Sequence, residues 1–154
     1  MKRDFDQLMA DVKQLHEKLV GMTPVTRDNL GACDYPGVYL FTERGKDLYV
    51  GRTKRPLKTR LKEHSPTQMT DAPFAFRLAR EKTGMLKASY KPDELSRNKL
   101  KKNPAFIKAF LTEAERIGKM SIRYVRVKDA TTQALLEIYT ATVLDAPYNE
   151  FTTS

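Results

Sequence analysis

Residues 37–51, GVYLFTERGKDLYVG, contain the two short runs that decide the fold of this chain. Residues 38–41 and residues 48–50 are rich in β-branched and aromatic side chains, and the six residues between them have the glycine and the charges of a loop. This pattern predicts a β-hairpin. Because paired strands lie side by side, the hairpin would place Tyr39 and Tyr49 on neighbouring strands, where they could share one face.

A short helix is predicted after the hairpin. Gly51 would end the second strand, and Thr53 with Pro56 offers a helix start, since proline is tolerated in the first turn of a helix. The helix would continue to about His64. Arg60 and His64 are four residues apart, so they would lie on one helical face. Two phenols, a guanidinium and an imidazole are therefore expected to converge.

The order of these residues resembles that of the GIY-YIG nucleases. Residues 37–39, Gly-Val-Tyr, match the first signature of that family, and residues 49–51, Tyr-Val-Gly, match the second, with valine in place of isoleucine in both. The family's arginine on the next helix matches Arg60, and the histidine that some members carry one turn later matches His64. Many members have lysine where this chain has Arg52. Since arginine does not give up its proton, residue 52 could assist only through its charge.

The resemblance continues further along the chain. Glu137, in the segment ALLEIY, matches the metal-binding glutamate of the family, and Asn149, in the segment PYN, matches the asparagine that often closes the domain. Each signature is short, but six matches in the same order make the resemblance specific. It implies a metal-dependent endonuclease that hydrolyses phosphodiester bonds of DNA, with Mg²⁺ or Mn²⁺ as cofactor. Asn149 would support the site by hydrogen bonding.

The same resemblance implies roles for the other matched residues. Tyr39 would act as a base on the attacking water, and Tyr49 would orient the water or the phosphate. Arg60 would stabilise charge on the phosphoryl oxygens, while His64 would hold a tyrosine or serve as an alternative base. Glu137 would be the metal ligand. A single carboxylate suits Mg²⁺ or Mn²⁺, because these ions keep water and phosphate oxygens in their remaining positions.

Positive charge is concentrated around the proposed site. The formal net charge is +9, and residues 44–66 and 77–103 carry +6 each while the remainder carries −3. Clustered basic charge is expected of a protein that holds a phosphate backbone, although charged runs can also be simple solvated faces. DNA is the expected partner, and RNA stays open. The expected substrate-binding residues are Arg52, Lys54, Arg55 and Lys58 beside the site, and Lys99, Lys101 and Lys102 in the second basic segment.

The rest of the chain predicts helices around a small sheet. Apolar residues at helical spacing predict an amphipathic helix over residues 1–21, which would cover the sheet or form a homodimer contact. Residues 120–128 alternate and predict a third strand, and a helix capped by Thr131 or Thr132 would follow to about Leu144. The predicted fold class is therefore α+β, with a three-stranded, largely antiparallel sheet flanked by helices as in the GIY-YIG fold.

One domain is predicted for the whole chain. Its 154 residues and 40% hydrophobic content suit a single core. Residues 67–118 form a basic insertion within it, with helix signals at residues 71–83 and 103–117. The single cysteine, Cys33, excludes an internal disulfide framework. The chain shows neither a signal peptide nor an apolar segment of membrane-spanning length, so we expect a cytoplasmic protein without a membrane partner.

Each matched residue also has an ordinary structural explanation. A tyrosine on a strand usually packs, a lone carboxylate in an apolar helix usually pairs with an arginine, and an asparagine after a proline is often a turn residue. Two other protein classes therefore stay open. The first is a catalytically silent nucleic-acid-binding module on the same fold, and the second is a protein-interaction domain. Nothing in the sequence specifies the natural substrate.

Overall fold

The computed structural model describes residues 3–62, 72–85 and 97–151. Within these ranges the chain forms two compact units. The first is built from residues 3–62 and 120–151, and the second from residues 72–85 and 97–119. The second unit covers nearly the same part of the chain as the predicted insertion.

A three-stranded sheet forms the centre of the first unit. Its strands are β1 (Gly37–Glu43), β2 (Lys46–Thr53) and β3 (Ser121–Arg126). The strand order is β2-β1-β3, and both pairings are antiparallel. The prediction of a small antiparallel sheet flanked by helices is confirmed. β2 lies at the edge of this sheet.

The hairpin is tighter than the sequence analysis predicts. Arg44 and Gly45 alone form the turn, in place of the predicted six-residue loop, and both have positive φ angles of 53° and 77°. Two positive φ values match the backbone twist of paired strands, which makes this kind of two-residue turn favourable. β2 also continues past Gly51 to Thr53, so the predicted strand end at Gly51 is wrong.

Two long helices cover one face of the sheet. They are α1 (Phe5–Gly21) and α6 (Ala130–Leu144). The side chains that they enclose are apolar and largely aliphatic, as expected for a face removed from water. The buried cluster comprises Val12, Leu19, Val38, Leu40, Val50, Val125, Val127, Leu136, Ala141 and Ala146.

A short helix, α2 (Leu57–Lys62), packs against the start of β1. A Cβ atom at Gly37 would approach Leu57 Cδ1 to 2.8 Å, so the two segments are in close contact. The first N–H groups of α2 donate to the carbonyl oxygens of Tyr35 and Cys33. The predicted start at Thr53 is therefore wrong, because backbone carbonyls replace a side-chain cap and Thr53 itself completes β2.

The start of α6 also differs from the prediction. Asp129 caps this helix in place of Thr131 or Thr132, and its carboxylate accepts a hydrogen bond of 2.8 Å from the Thr132 backbone N–H. Aspartate is as good a cap as threonine, and the sequence DATT offers several candidates. The actual cap therefore lies two to three residues earlier than the predicted one.

The second unit is helical. It contains α3 (Pro73–Thr83), α4 (Arg97–Leu100) and α5 (Pro104–Gly118). α3 and α5 pack together through the rings of Phe76 and Phe106, whose centroids are 4.9 Å apart. These helices agree with the two predicted from start and stop signals in the insertion. Within the described ranges, no helix has the length and apolar character needed to span a bilayer.

A buried histidine links the two long helices of the first unit. His16 Nδ1 lies 2.9 Å from Thr140 Oγ1, and its ring meets the Tyr139 ring edge-on at 5.0 Å. Burial lowers the pKa of His16 below its ordinary value of 6.5, and nearby Glu17 offsets part of this shift. The folded state therefore holds this proton less tightly than the unfolded chain, which favours the neutral imidazole between α1 and α6.

His16 should make folding stability sensitive to acid. Since the unfolded chain binds the proton more tightly, this contribution is complete above pH 6.5 and declines as the pH falls through the lowered folded pKa. In His16→Asn, the amide takes the position of Nδ1 and can keep the bond to Thr140 without titrating. Urea unfolding from about pH 7.5 to about pH 5 should show the parent losing stability relative to this variant. A constant difference across that range would contradict the role of His16.

Candidate active site

Tyr39 and Tyr49 share one face of the sheet. In the β1–β2 pairing Tyr39 is opposite Gly51, and Phe41 is opposite Tyr49. Directly opposed residues of antiparallel strands point to the same face, so these four positions lie together. The rings of Tyr39 and Phe41 meet edge-on at 5.5 Å. Both tyrosines are buried, which agrees with the predicted hairpin geometry.

The ring of Tyr39 lies directly over Gly51. A Cβ atom at position 51 would be 2.3 Å from Tyr39 Cζ and 2.4 Å from its hydroxyl oxygen. No side chain can occupy that space without displacing the ring. Glycine at the third position of the second signature therefore has a physical reason here, because it lets the phenol of the first signature cross β2.

Glu137 lies on α6 and pairs with Arg52 of β2. Arg52 Nε and Glu137 Oε1 are 3.8 Å apart, and the glutamate side chain is 20% exposed. At this distance the two side chains form an ion pair but no hydrogen bond between these two atoms. Val38 is opposite Arg52 and belongs to the core beneath α1 and α6. The ion pair is therefore on the face opposite the tyrosines.

Asn149 closes the outer edge of β2. Its side-chain Oδ1 accepts a hydrogen bond of 2.8 Å from the Val50 N–H, and its Nδ2 donates to the Val50 carbonyl oxygen at 2.7 Å. The N–H of Tyr148 donates to the Leu48 carbonyl oxygen. The asparagine thus makes both of the bonds that a neighbouring strand would make to this residue.

Three of the predicted site residues therefore meet at three consecutive residues of β2. Asn149 bonds Val50 in the plane of the sheet, Tyr39 covers Gly51 from one face, and Glu137 pairs with Arg52 from the other. Residues 50–52, which we call the β2 site segment, are the point that these contacts share. The site surrounds the edge of the sheet, whereas the sequence suggests only a convergence beside the hairpin.

Tyr124 is a third tyrosine on the same face as Tyr39, and it has a different environment. It is opposite Tyr39 on β3, and its hydroxyl donates to the Leu30 carbonyl oxygen at 2.5 Å. Burial is the main cause that raises the pKa of Tyr124 to about 12. This phenol therefore stays protonated at neutral pH and acts as a structural donor. It is unsuited to the role of a base.

The remaining predicted site residues lie on other parts of the chain than residues 50–52. Arg60 is half-buried on α2, between the buried Leu57 and Leu61. His64 lies outside the described residues. Beside β2, Lys54 and Arg55 are exposed and Lys58 is half-buried, while in the second unit Lys99 and Lys102 are exposed and Lys101 is half-buried.

The residues around Glu137 fit a metal ion that needs few protein ligands. No group of three His, Cys, Asp or Glu side chains within residues 3–62, 72–85 and 97–151 has metal-binding geometry. Glu137 supplies one partly exposed carboxylate, which is the type of donor that Mg²⁺ prefers. A single carboxylate could hold only an ion that takes its other ligands from water and substrate, as Mg²⁺ and Mn²⁺ do, and it cannot form a site of protein side chains alone.

Gln133 is a residue of this region that the sequence analysis does not single out. It is fully buried on α6, one turn before Glu137, and it bonds the backbone of β2. The signal in the sequence is weak, because it is a single glutamine that follows two threonines at the start of a helix. Such a residue is costly to bury unless its amide has partners.

Comparison of the chain with protein-family models, curated proteins and solved structures finds no match. The resemblance to the GIY-YIG nucleases thus rests on the residues quoted above.

Gly51 should not tolerate a side chain, because the Tyr39 ring occupies the space that a Cβ atom would need. In Gly51→Ala, the new methyl group would overlap the Tyr39 ring, so we expect a loss of about 1–3 kcal/mol in the free energy of unfolding, measured in urea. Gly21→Ala is the matched control, since a Cβ atom at that position meets nothing within 4 Å. Equal stability of the two variants would mean that the ring does not need the space above Gly51.

Proposed function

We propose that this chain is a cytoplasmic, metal-dependent endonuclease that hydrolyses phosphodiester bonds of DNA. The main support is that Tyr39, Glu137 and Asn149 contact three consecutive residues of β2, with Tyr39 and Glu137 on opposite faces of the strand. A phenol, a carboxylate and an amide with fixed backbone bonds at one strand edge are more than packing requires. The charge of +9 supports a polyanionic substrate.

In this proposal the protein groups position water and phosphate. Tyr39 orients the attacking water and accepts its proton, which requires positive charge nearby to favour the phenolate. Arg60 stabilises negative charge on the phosphoryl oxygens, and His64 assists a tyrosine by hydrogen bonding or serves as the base. Tyr49 lies diagonally across from Tyr39 on the same face of the sheet, and in this proposal it helps to orient the water or the phosphate.

Glu137 would hold the metal, and Arg52 would set the position of the carboxylate. A bound Mg²⁺ would polarise the phosphate and stabilise the leaving oxygen. Arg52 contributes only through its charge, because a guanidinium is not a proton donor or acceptor in such a reaction. Asn149 takes no part in proton transfer in this proposal, because its amide is already committed to Val50.

A catalytically silent binding module is the second candidate. The observation in its favour is the contact between Arg52 and Glu137, since a glutamate whose purpose is an ion pair needs no metal. Plasmid nicking in Mg²⁺ separates the two candidates. Conversion of supercoiled to relaxed DNA supports the enzyme, whereas binding without conversion in either Mg²⁺ or Mn²⁺ supports the silent module.

Cleavage should depend on Glu137. Glu137→Gln keeps the side-chain shape but removes the charge that would bind the metal, so the nicking rate should fall by at least about 100-fold. DNA affinity, measured by fluorescence anisotropy without divalent metal, should stay close to the parent value because the phosphate contacts come from the basic residues.

Glu17→Gln is the charge-matched control, since Glu17 is exposed on α1. It should nick at the parent rate. Full activity of Glu137→Gln would remove this residue from the site and would reject the proposed metal-dependent mechanism.

The lysines of the second unit should carry part of the DNA affinity. Replacing Lys99, Lys101 and Lys102 with alanine should weaken binding. The slope of log affinity against log salt concentration should also become less steep, by about 0.9 for each duplex phosphate that the variant no longer neutralises. The cleavage rate at saturating DNA should change little. Binding isotherms at several salt concentrations provide this slope.

A matched triple variant tests whether position or total charge matters. Lys13, Lys18 and Lys128 are exposed lysines of the first unit, and their replacement with alanine removes the same charge. If both triple variants have the same slope, the lysines of the second unit act only through net charge. The phosphate contacts would then lie with Arg52, Lys54, Arg55 and Lys58.

A further inference from the structure

Gln133 is a fully buried polar side chain that connects several elements. Its Nε2 donates to the carbonyl oxygen of Thr53 at 3.1 Å and to that of Val127 at 2.6 Å. Thr53 is the last residue of β2, and Val127 directly follows β3. The N–H of Val127 donates in turn to the Pro36 carbonyl oxygen, just before β1. The amide therefore ties α6 directly to the ends of β2 and β3, and the backbone of Val127 extends this connection to the start of β1.

The chemistry of these contacts explains why the residue is a glutamine. An amide nitrogen has two N–H donors, and both are used here by carbonyl oxygens. Among the described residues, Gln133 Oε1 is buried without a hydrogen-bond partner. A buried acceptor of this kind is unfavourable, so packing alone would select an apolar side chain. The glutamine is explained by the two carbonyl groups that its nitrogen satisfies.

The position of Gln133 couples it to the ion pair. Gln133 and Glu137 are four residues apart on α6, so they lie on one face of the helix. Their partners on β2, Thr53 and Arg52, are adjacent in sequence. Two successive contacts thus join the same helical face to the same strand end. The contact between Gln133 and Thr53 is a hydrogen bond, whereas the contact between Glu137 and Arg52 is an ion pair at 3.8 Å.

We infer that Gln133 is a positioning residue that sets where Glu137 meets Arg52. The two hydrogen bonds of its amide fix the rotation and the axial position of α6 relative to the end of β2. The long ion pair cannot do this by itself, because a contact without a hydrogen bond has little directional preference. The part of this inference that concerns catalysis rests on the proposed function.

Gln133→Met is the sharpest test, because methionine has nearly the same length and shape but no donor. The first measurement is the NMR signal of Arg52 Nε–Hε, with Glu137→Gln as the reference for a broken ion pair. We expect the Arg52 signal of Gln133→Met to move toward that reference. In the nicking assay, kcat should fall by about 10-fold or more while KM stays within about twofold. This split is expected because Gln133 would affect catalysis only through the position of Glu137, the proposed metal ligand.

Thr140→Val is the matched control. It removes another buried side-chain hydrogen bond of α6, to His16, without touching β2. A purely structural role of Gln133 predicts that both variants lose stability and that neither moves the Arg52 signal. If Gln133→Met does not fold, Gln133→Asn replaces it, since its shorter amide cannot reach both carbonyl groups.

The outcomes separate this inference from the proposed function. An Arg52 signal that stays at the parent position in a folded Gln133 variant overturns the inference, as does a parent-like kcat in an active enzyme. If the parent cleaves no DNA under any condition, the proposed function fails, and the Arg52 signal alone decides whether Gln133 positions the pair.

Discussion

The outer backbone edge of β2 is the constraint on which the candidate site depends. In the part of the chain that the structure describes, this strand ends the sheet, and no fourth strand pairs with its outward N–H and C=O groups. The amide of Asn149 both donates and accepts, and it therefore satisfies the two outward groups of Val50. With that edge closed, the strand is held where Tyr39 can cross it and where Arg52 can reach α6. The hydrogen bonds of Asn149 to Val50 therefore both complete the edge of the sheet and support the candidate site.

The polar residues of α6 solve a related problem of orientation. Gln133, Glu137 and Thr140 lie along the stripe of this helix that also carries the buried Leu136 and Ala141. Each polar side chain contacts a different element, namely the end of β2, Arg52 and His16 of α1. Apolar packing stabilises the helix against the sheet but is non-directional. The two hydrogen bonds of Gln133 supply the direction that apolar packing and the ion pair lack, and they specify the rotation of the helix at the end of β2.

The sequence predicts the elements well because their signals are local. The β-branched runs of the hairpin, the amphipathic spacing of α1 and the proline and glycine signals of α3 and α5 each depend on a few neighbouring residues. The errors fall where the partner is distant or ambiguous. The start of α2 depends on carbonyl groups of Cys33 and Tyr35, and the cap of α6 is one of several suitable residues in DATT. The two-residue turn was missed because Arg44 is an uncommon residue at positive φ.

The candidate site shows the same division. The order of Tyr39, Glu137 and Asn149 along the chain is visible in the sequence, but their common contact with residues 50–52 is not. Nor does the sequence show that Tyr39 and the ion pair approach from opposite faces, because that depends on the strand register. Gln133 was missed because a single glutamine has no pattern. Only its two carbonyl partners, one of them 80 residues away in the chain, reveal its role.

The separation of Val50 and Asn149 by 99 positions has a consequence for how the molecule assembles. The hairpin is local and can form soon after its own residues are made, while the helices of the second unit depend mainly on contacts within that unit. The edge of β2, in contrast, is completed only after a long loop has closed, which is an entropic cost that must be met before the final bonds form. In a nascent chain the outer edge of β2 would therefore stay open until α6 and the residues after it have been made. Competence of the site is thus tied to the synthesis of nearly all of the residues described.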